Sequence, residues 1–169
     1  EYVRFGWIDF EEDIDIAKAL LTQVENWAKE LGMKAVHGPM GFTDLDYEGM
    51  LVEGFEERGT MATIYNYPYY PIFMEQLGYG KAVDWVEYRI NVPNQLPENI
   101  LKIANLVERR FKLHVVPMKS TKDLKPYAKE VFQLVNETYA ELYGVVELTQ
   151  RQIDYYVKMY FSMIRVEFI

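Results

Sequence analysis

The chain has 169 residues, half of them hydrophobic, and a net charge of −8 from 26 acids against 18 bases. A body of this size removes roughly 70% of its unfolded surface from water, enough for a sizeable core. The excess of acid argues against a nucleic-acid partner and an anionic membrane, both of which call for a basic face. No apolar run reaches the ~20 residues that a bilayer span needs. The lack of cysteine excludes disulfides and thiolate metal sites. With no signal peptide in view, a reducing, cytoplasmic setting is expected.

Residues 5–10, FGWIDF, are short, aromatic and bounded by charge, the pattern of a strand. The acidic EEDID follows, and then Ile14, Ala17, Leu20, Leu21, Val24, Trp27, Ala28 and Leu31 recur at helical spacing. Asp13 is placed to cap this helix and Gly32 to end it in the left-handed region. Residues 33–37 form a second predicted strand. It leads into the glycine-rich HGPMGFTDLDYEGMLVEGF, where Gly38, Pro39 and Gly41 interrupt regular structure.

Residues 60–65, TMATIY, are again strand-like, and a short helix is expected over 70–77, ending at Gly78. Residues 84–92, DWVEYRINV, alternate apolar and polar as a half-buried strand does. A linker at 94–97 is followed by a helix over 98–111, a strand over 113–118, a long helix over 122–143, another helix over 149–163 and a terminal strand, RVEFI. The alternation of strands and helices sets an α/β class. Both ends read as those of a fragment: Glu1 is not an initiator methionine, and RVEFI is a strand just beginning to pair. A fragment of this kind exposes strand edges and apolar surface, so self-association, as a homo-oligomer, is expected of it.

Candidate chemistry is sparse. Asp44, Asp46 and Glu48 before Gly49 imitate the start of an EF-hand calcium loop, but the twelfth position, which must supply a bidentate carboxylate, is Phe55. A solvated acidic turn is the better reading, and no metal is expected. His37 and His114 each end a predicted strand with no carboxylate pattern joining them, which favours structural roles. Arg109, Arg110 and Lys112 suit the negative pole of a helix end. The run Glu11, Glu12, Asp13 and Asp15 stabilises a helix start, where free N–H groups carry partial positive charge. The same carboxylates would repel a phosphate from that place.

Two segments together resemble the GNAT superfamily of acetyl-coenzyme-A-dependent N-acyltransferases. In that family a helix is followed by a sequence like LYEKLGF and then a strand; here residues 73–79 read FMEQLGY and VDWVEYRI supplies the strand. Upstream, RFGWIDF, the amphipathic helix and MKAVHGPM match the family's central strand, helix and next strand in order. Residues 1–93 are thus similar to the second, C-terminal half of a GNAT unit. Residues 113–169, through LHVVPMKS, LKPYAKEVFQLVNETYAELYG, TQRQIDYYVKMYFSMI and RVEFI, are similar to the first half of another, and 94–112 would form a linker and connecting helix. The arrangement resembles a bacterial group of GNAT-like proteins with two tandem units, whose members carry a GPM turn before a YNYPYY-like segment.

The resemblance implies a mixed central sheet flanked by helices and an acyl transfer from acetyl-CoA, or another acyl-CoA, to an amine acceptor. In the family a base takes the amine proton, a backbone N–H steadies the oxyanion, and a tyrosine often protonates the leaving thiolate. Two departures stand out. The glycine-rich loop that should cradle the pyrophosphate is replaced by FEEDIDIA, and the family's tyrosine falls on Met74. Catalysis is expected in the complete second unit, with the first structural or substrate-binding; if the first unit is the active one, Tyr70, one helical turn earlier, would substitute as the acid, with Asp9 as base and Asn66 as a polar contact for bound ligand. The first unit is therefore expected to be degenerate for coenzyme A. The alternative is a non-catalytic module that binds a small molecule or a protein in the inherited cleft, for which large aromatics with polar tips are well suited.

Overall fold

Helix α1 (Ile14–Glu30) forms where the sequence places it, and its ends show why. The Asp13 carboxylate accepts from the Asp15 amide at 2.9 Å, satisfying a free donor of the first turn. Beyond the last turn Gly32 takes a φ of 66°, which needs no Cβ. The helix buries a narrow stripe, Ala17, Leu21 and Ala28, spaced by four and seven residues, whereas Trp27 and Leu31 stand more than half exposed.

The computed structural model describes residues 1–161, 163–165 and 167. It is a mixed α/β structure in two compact units, Glu1–Val83 with Val135–Leu148 and Asp84–Leu134 with Thr149–Ile169. In the first, β1 (Tyr2–Arg4) and β2 (Ala35–His37) pair in parallel, with Tyr2 opposite Ala35 and Arg4 opposite His37. Parallel neighbours need a long crossover, which α1 supplies. Helix α2 (Tyr69–Gln76) closes this unit; Pro68 and Pro71 fall at its start, where a missing N–H costs little. Phe5, Leu21 and Met74 make one core cluster, Phe10, Ala17 and Tyr70 another, and Ile8, Met50 and Leu77 pack against both.

Close backbone approach shapes the loop after β2. A Cβ on Gly38 would strike the Phe5 carbonyl and ring, and one on Gly41 would strike the Asp46 side chain. Further along, Asn66 and Asn136 repeat one device. Asn66 accepts from the Leu51 amide at 2.7 Å and donates to its carbonyl at 3.1 Å. Asn136 treats Leu148 the same way, at 2.9 and 3.1 Å. Each gives a loop residue the two bonds that a strand neighbour would give it.

In the second unit α3 (Glu98–Phe111) follows Pro97, and α4 (Thr121–Leu124) carries a capping box between Ser120 and Asp123. The long helix expected over 122–143 is instead broken: a single tight turn, Lys125–Tyr127, separates α4 from α5 (Ala128–Tyr139). Pro126 lies in that turn, where it lacks an N–H and crowds the preceding carbonyl. Helix α6 (Gln150–Tyr160) begins with the capping box of Thr149 and Gln152, and buries Ile153 and Tyr156, the latter stacked on Phe132.

The expected sheet is larger than the one observed: the described residues contain a sheet of two strands. Residues 5–10 leave the strand path. Phe5 still donates to the His37 carbonyl at 3.1 Å, but Gly6 lies against Met40 and Trp7 turns into the left-handed region at a φ of 47°. Residues 60–65, 84–92 and 113–118 hold no strand pairing either. Alternation specifies a face, whereas a strand exists where a second backbone answers its polar groups. The apolar side chains of 84–92 accordingly stand open, Tyr88 at 78% and Ile90 at 81% exposure. Of the expected terminal strand over 165–169, Val166, Phe168 and Ile169 lie outside the described residues.

The narrow buried stripe of α1 gives a direct test. Leu21→Ala is expected to cost about 2–5 kcal/mol in urea denaturation, while Trp27→Ala should change stability by about 0.5 kcal/mol or less. Equal effects at the two positions would overturn this orientation of the helix.

Candidate functional site

The left-handed turn at Trp7 swings Asp9 and Phe10 out of line with β1 and onto α2. Phe10 is buried, with its ring stacked on Tyr70 at 4.2 Å between centroids, and its backbone amide needs a partner there. The Tyr70 hydroxyl oxygen accepts from that amide at 3.1 Å and donates its proton to the Asp9 carboxylate, Oδ1. The neighbouring Tyr69 hydroxyl donates to the Phe10 carbonyl at 2.8 Å. The structure thus joins two sequence-derived candidates, Asp9 and Tyr70, from positions 61 residues apart.

Their environments differ in a chemically useful way. Asp9 is exposed, whereas Tyr70 is 5% exposed at the first turn of α2. Burial, with the hydrogen bond to Asp9, pushes the Tyr70 phenol up to about 12, so it stays protonated through neutral pH. Partial burial and the carboxylates of Asp9 and Glu12 push Tyr69 upward as well. From Tyr70 the aromatic surface continues outward: Tyr69 stacks on Tyr67 at 5.7 Å, and Tyr67 meets Tyr65 edge-on at 6.2 Å. Tyr65 and Tyr67 are each 59% exposed.

Asn66 lies at the base of this surface and is buried. Besides its reciprocal pair with Leu51, its amide donates to the Tyr67 carbonyl at 3.0 Å. Its polar atoms are engaged by backbone, and its visible work is to fix the loop from which the tyrosines project. Met74 fills core space against Phe5 and Leu21. The acidic run splits in role, with Asp13 capping α1 and Glu12 facing Tyr69 electrostatically.

A second polar constellation had no signature in the sequence. Arg4 donates through Nη2 to the Gly144 carbonyl, while its Nη1 is buried with no hydrogen-bond partner among the described residues. Glu48 Oε1 is in the same condition. Burial and then the charges of Asp44 and Asp46 raise Glu48, against an opposing pull from Arg4. His37 is within 2.8 Å of the Tyr143 hydroxyl, and burial followed by the Arg4 charge lowers its pKa. These residues come from four separate stretches of the chain. The one available hint was Glu48 within the acidic turn. A pocket lined by Leu45, Val135, Tyr139 and Val146 is only about water-sized, ≈ 10 Å³.

Comparison with known proteins gives two distant relatives. The chain is 24% identical over 152 residues to Protein YghO of Escherichia coli (strain K12). It is also 24% identical over 155 residues to the bacterial ceramide synthase of Caulobacter vibrioides (strain NA1000 / CB15N). Each match covers 88% of this chain and 38% of the relative. The chain therefore spans less than half the length of the curated relatives it matches. No family model and no solved structure matches it.

Two titrations follow from these environments. A raised phenol pKa means that the contribution of Tyr70 to stability is complete below the ordinary value of 10.0 and is lost as pH rises towards about 12. Ultraviolet difference spectroscopy should show tyrosines ionising that late, with one such component missing in Tyr70→Phe. The same variant strands the buried Phe10 amide, at a cost of about 1–3 kcal/mol. For Glu48 the raised value runs the other way at neutrality, where the charged form is disfavoured. Glu48→Gln should therefore melt higher than the parent at pH 7, with the gain vanishing as pH falls through the raised value towards 4.5.

Proposed function

We propose that the chain is part of an N-acyltransferase on a GNAT-like scaffold, one that moves an acyl group from a thioester to an amine. The observation that carries this reading is the hydrogen-bonded pair of Tyr70 and Asp9, a buried phenol held protonated beside an exposed carboxylate. The relative's name adds support of a general kind. A ceramide is the amide of a long-chain amino alcohol, so a ceramide synthase bears the name of an amide-forming acyl transfer.

In the proposed reaction the amine nitrogen attacks the thioester carbonyl, forming the C–N bond as the C–S bond breaks. Asp9 takes the proton released by the nitrogen, and Tyr70 gives its own to the departing sulfur. The proton on Asp9 then returns to the Tyr70 oxygen along their hydrogen bond, and the pair is restored. Asn66 enters as a positioning residue that holds the tyrosine loop. The start of α1 does not fit a pyrophosphate: it has no glycine, and its four carboxylates are of the wrong sign. The proposal therefore places the acyl-transfer end of the reaction at Asp9 and Tyr70, and assigns no phosphate contact to this loop.

A second reading, a binding module without catalysis, draws on a different observation. The Tyr70 hydroxyl and the Asn66 amide both support backbone, as they would in a site kept for its shape. Calorimetric titration of the full-length protein with acetyl-CoA separates the two, and an absence of heat at millimolar ligand would sink the acyltransferase. If transfer to an amine is detected, Asp9→Asn and Tyr70→Phe should each slow it at least ~100-fold, while the exposed Tyr65→Phe leaves it unchanged.

A further inference from the structure

The charge of this chain is unevenly placed. Residues 98–129 hold eight lysines and arginines against three acids, a net +5 inside a chain of net −8. That stretch begins with α3, which has no buried residue. Ile100, Ile103, Val107 and Phe111 recur at three- and four-residue spacing and so share one face, flanked by Leu106. Ile103, Leu106 and Phe111 are each 60% exposed or more. Lys102 and Arg109 lie on the opposite, polar face, and the Arg110 guanidinium sits 5.7 Å from the Phe111 ring at the border. No helix among the described residues is long and apolar enough to cross a membrane.

An apolar stripe left in water is unfavourable, and lysines and arginines around it select what can cover it. We propose that α3 is a surface-binding helix for an anionic lipid bilayer: it lies along the membrane with Ile103, Val107 and Phe111 among the acyl chains and its basic residues at the headgroup phosphates. The geometry suits that occupant for three reasons. The stripe is continuous over the helix, as a flat apolar interface requires. Arginine and lysine stems at its border can lie on the apolar layer while their charges reach outward. The positive charge continues past the helix in Lys112, Lys119, Lys122 and Lys125, so attraction to a negative surface extends along the chain. The net charge of the whole molecule opposes such binding only at long range. Within about a Debye length of the surface, the local +5 governs. The proposal does not depend on the acyltransferase reading.

The test is co-sedimentation of the full 169-residue chain with vesicles of pure phosphatidylcholine and of equimolar phosphatidylcholine and phosphatidylglycerol. Binding to the anionic vesicles is expected, at least ~10-fold weaker on the neutral ones and reversed by high salt. Arg109→Gln with Arg110→Gln should weaken it roughly 30-fold. Ile103→Gln should weaken it too, although it leaves the charge unchanged, and circular dichroism would verify that both variants keep their helices. Equal binding to both vesicles, or binding to neither, would overturn the proposal, and neither comparison needs a variant. Light scattering that shows a dimer broken by Ile103→Gln, with no vesicle binding, would assign the stripe to a second copy of the chain instead.

Discussion

The first unit depends on one buried phenol. Phe10 is carried inward by its ring, and its amide goes with it, so a donor is stranded away from water unless something accepts from it. Tyr70 does so, and its ring stacks on the same phenylalanine. One side chain thereby supplies apolar contact to the core of α1 and α2 and a polar contact to the segment beyond β1. The hydroxyl has a single proton, and with the amide occupying one side of the oxygen that proton goes to Asp9. The pair on which the proposed chemistry rests is in this sense a by-product of satisfying the backbone.

Other polar contacts of the unit follow the same logic. With a sheet of two short strands, most of the loop from 38 to 68 has no ladder to join. Its backbone is held by isolated devices: the Asn66 amide on Leu51, the Asp46 carboxylate on the Thr43 amide, and the Gly49 amide on the Pro39 carbonyl. The loop can then approach the end of β1 closely, which is why Gly38 tolerates no Cβ against Phe5, and it folds tightly on itself, which is why Gly41 tolerates none against Asp46. Arg4 and Glu48 are drawn into that packing with one polar atom each left unanswered, and the charge on Glu48 is disfavoured as a result.

Charge is unevenly placed along the chain. Acid gathers around the start of α1 and the 44–48 turn, where it caps backbone and perturbs tyrosines and Glu48. Base gathers in residues 98–129, beside an apolar face. A single net charge for the chain averages over these regions and conceals both.

Local order was legible in the sequence where a local cause sufficed. The cap at Asp13, the stop at Gly32, the span of α3 and the start of α6 are set by residues within a turn or two of the feature itself, and spacing alone reports them. That 60–65, 84–92 and 113–118 form no strand ladder was not legible, because alternation is a property of one segment and strand pairing is a property of two. The break of the long helix was foreshadowed by Pro126 and was missed in favour of its apolar periodicity. Asp9 and Tyr70 could be nominated from the sequence by residue type and position. Their meeting was decided by the left-handed turn at Trp7 and the burial of Phe10, which bring a carboxylate and a phenol from distant positions onto one amide.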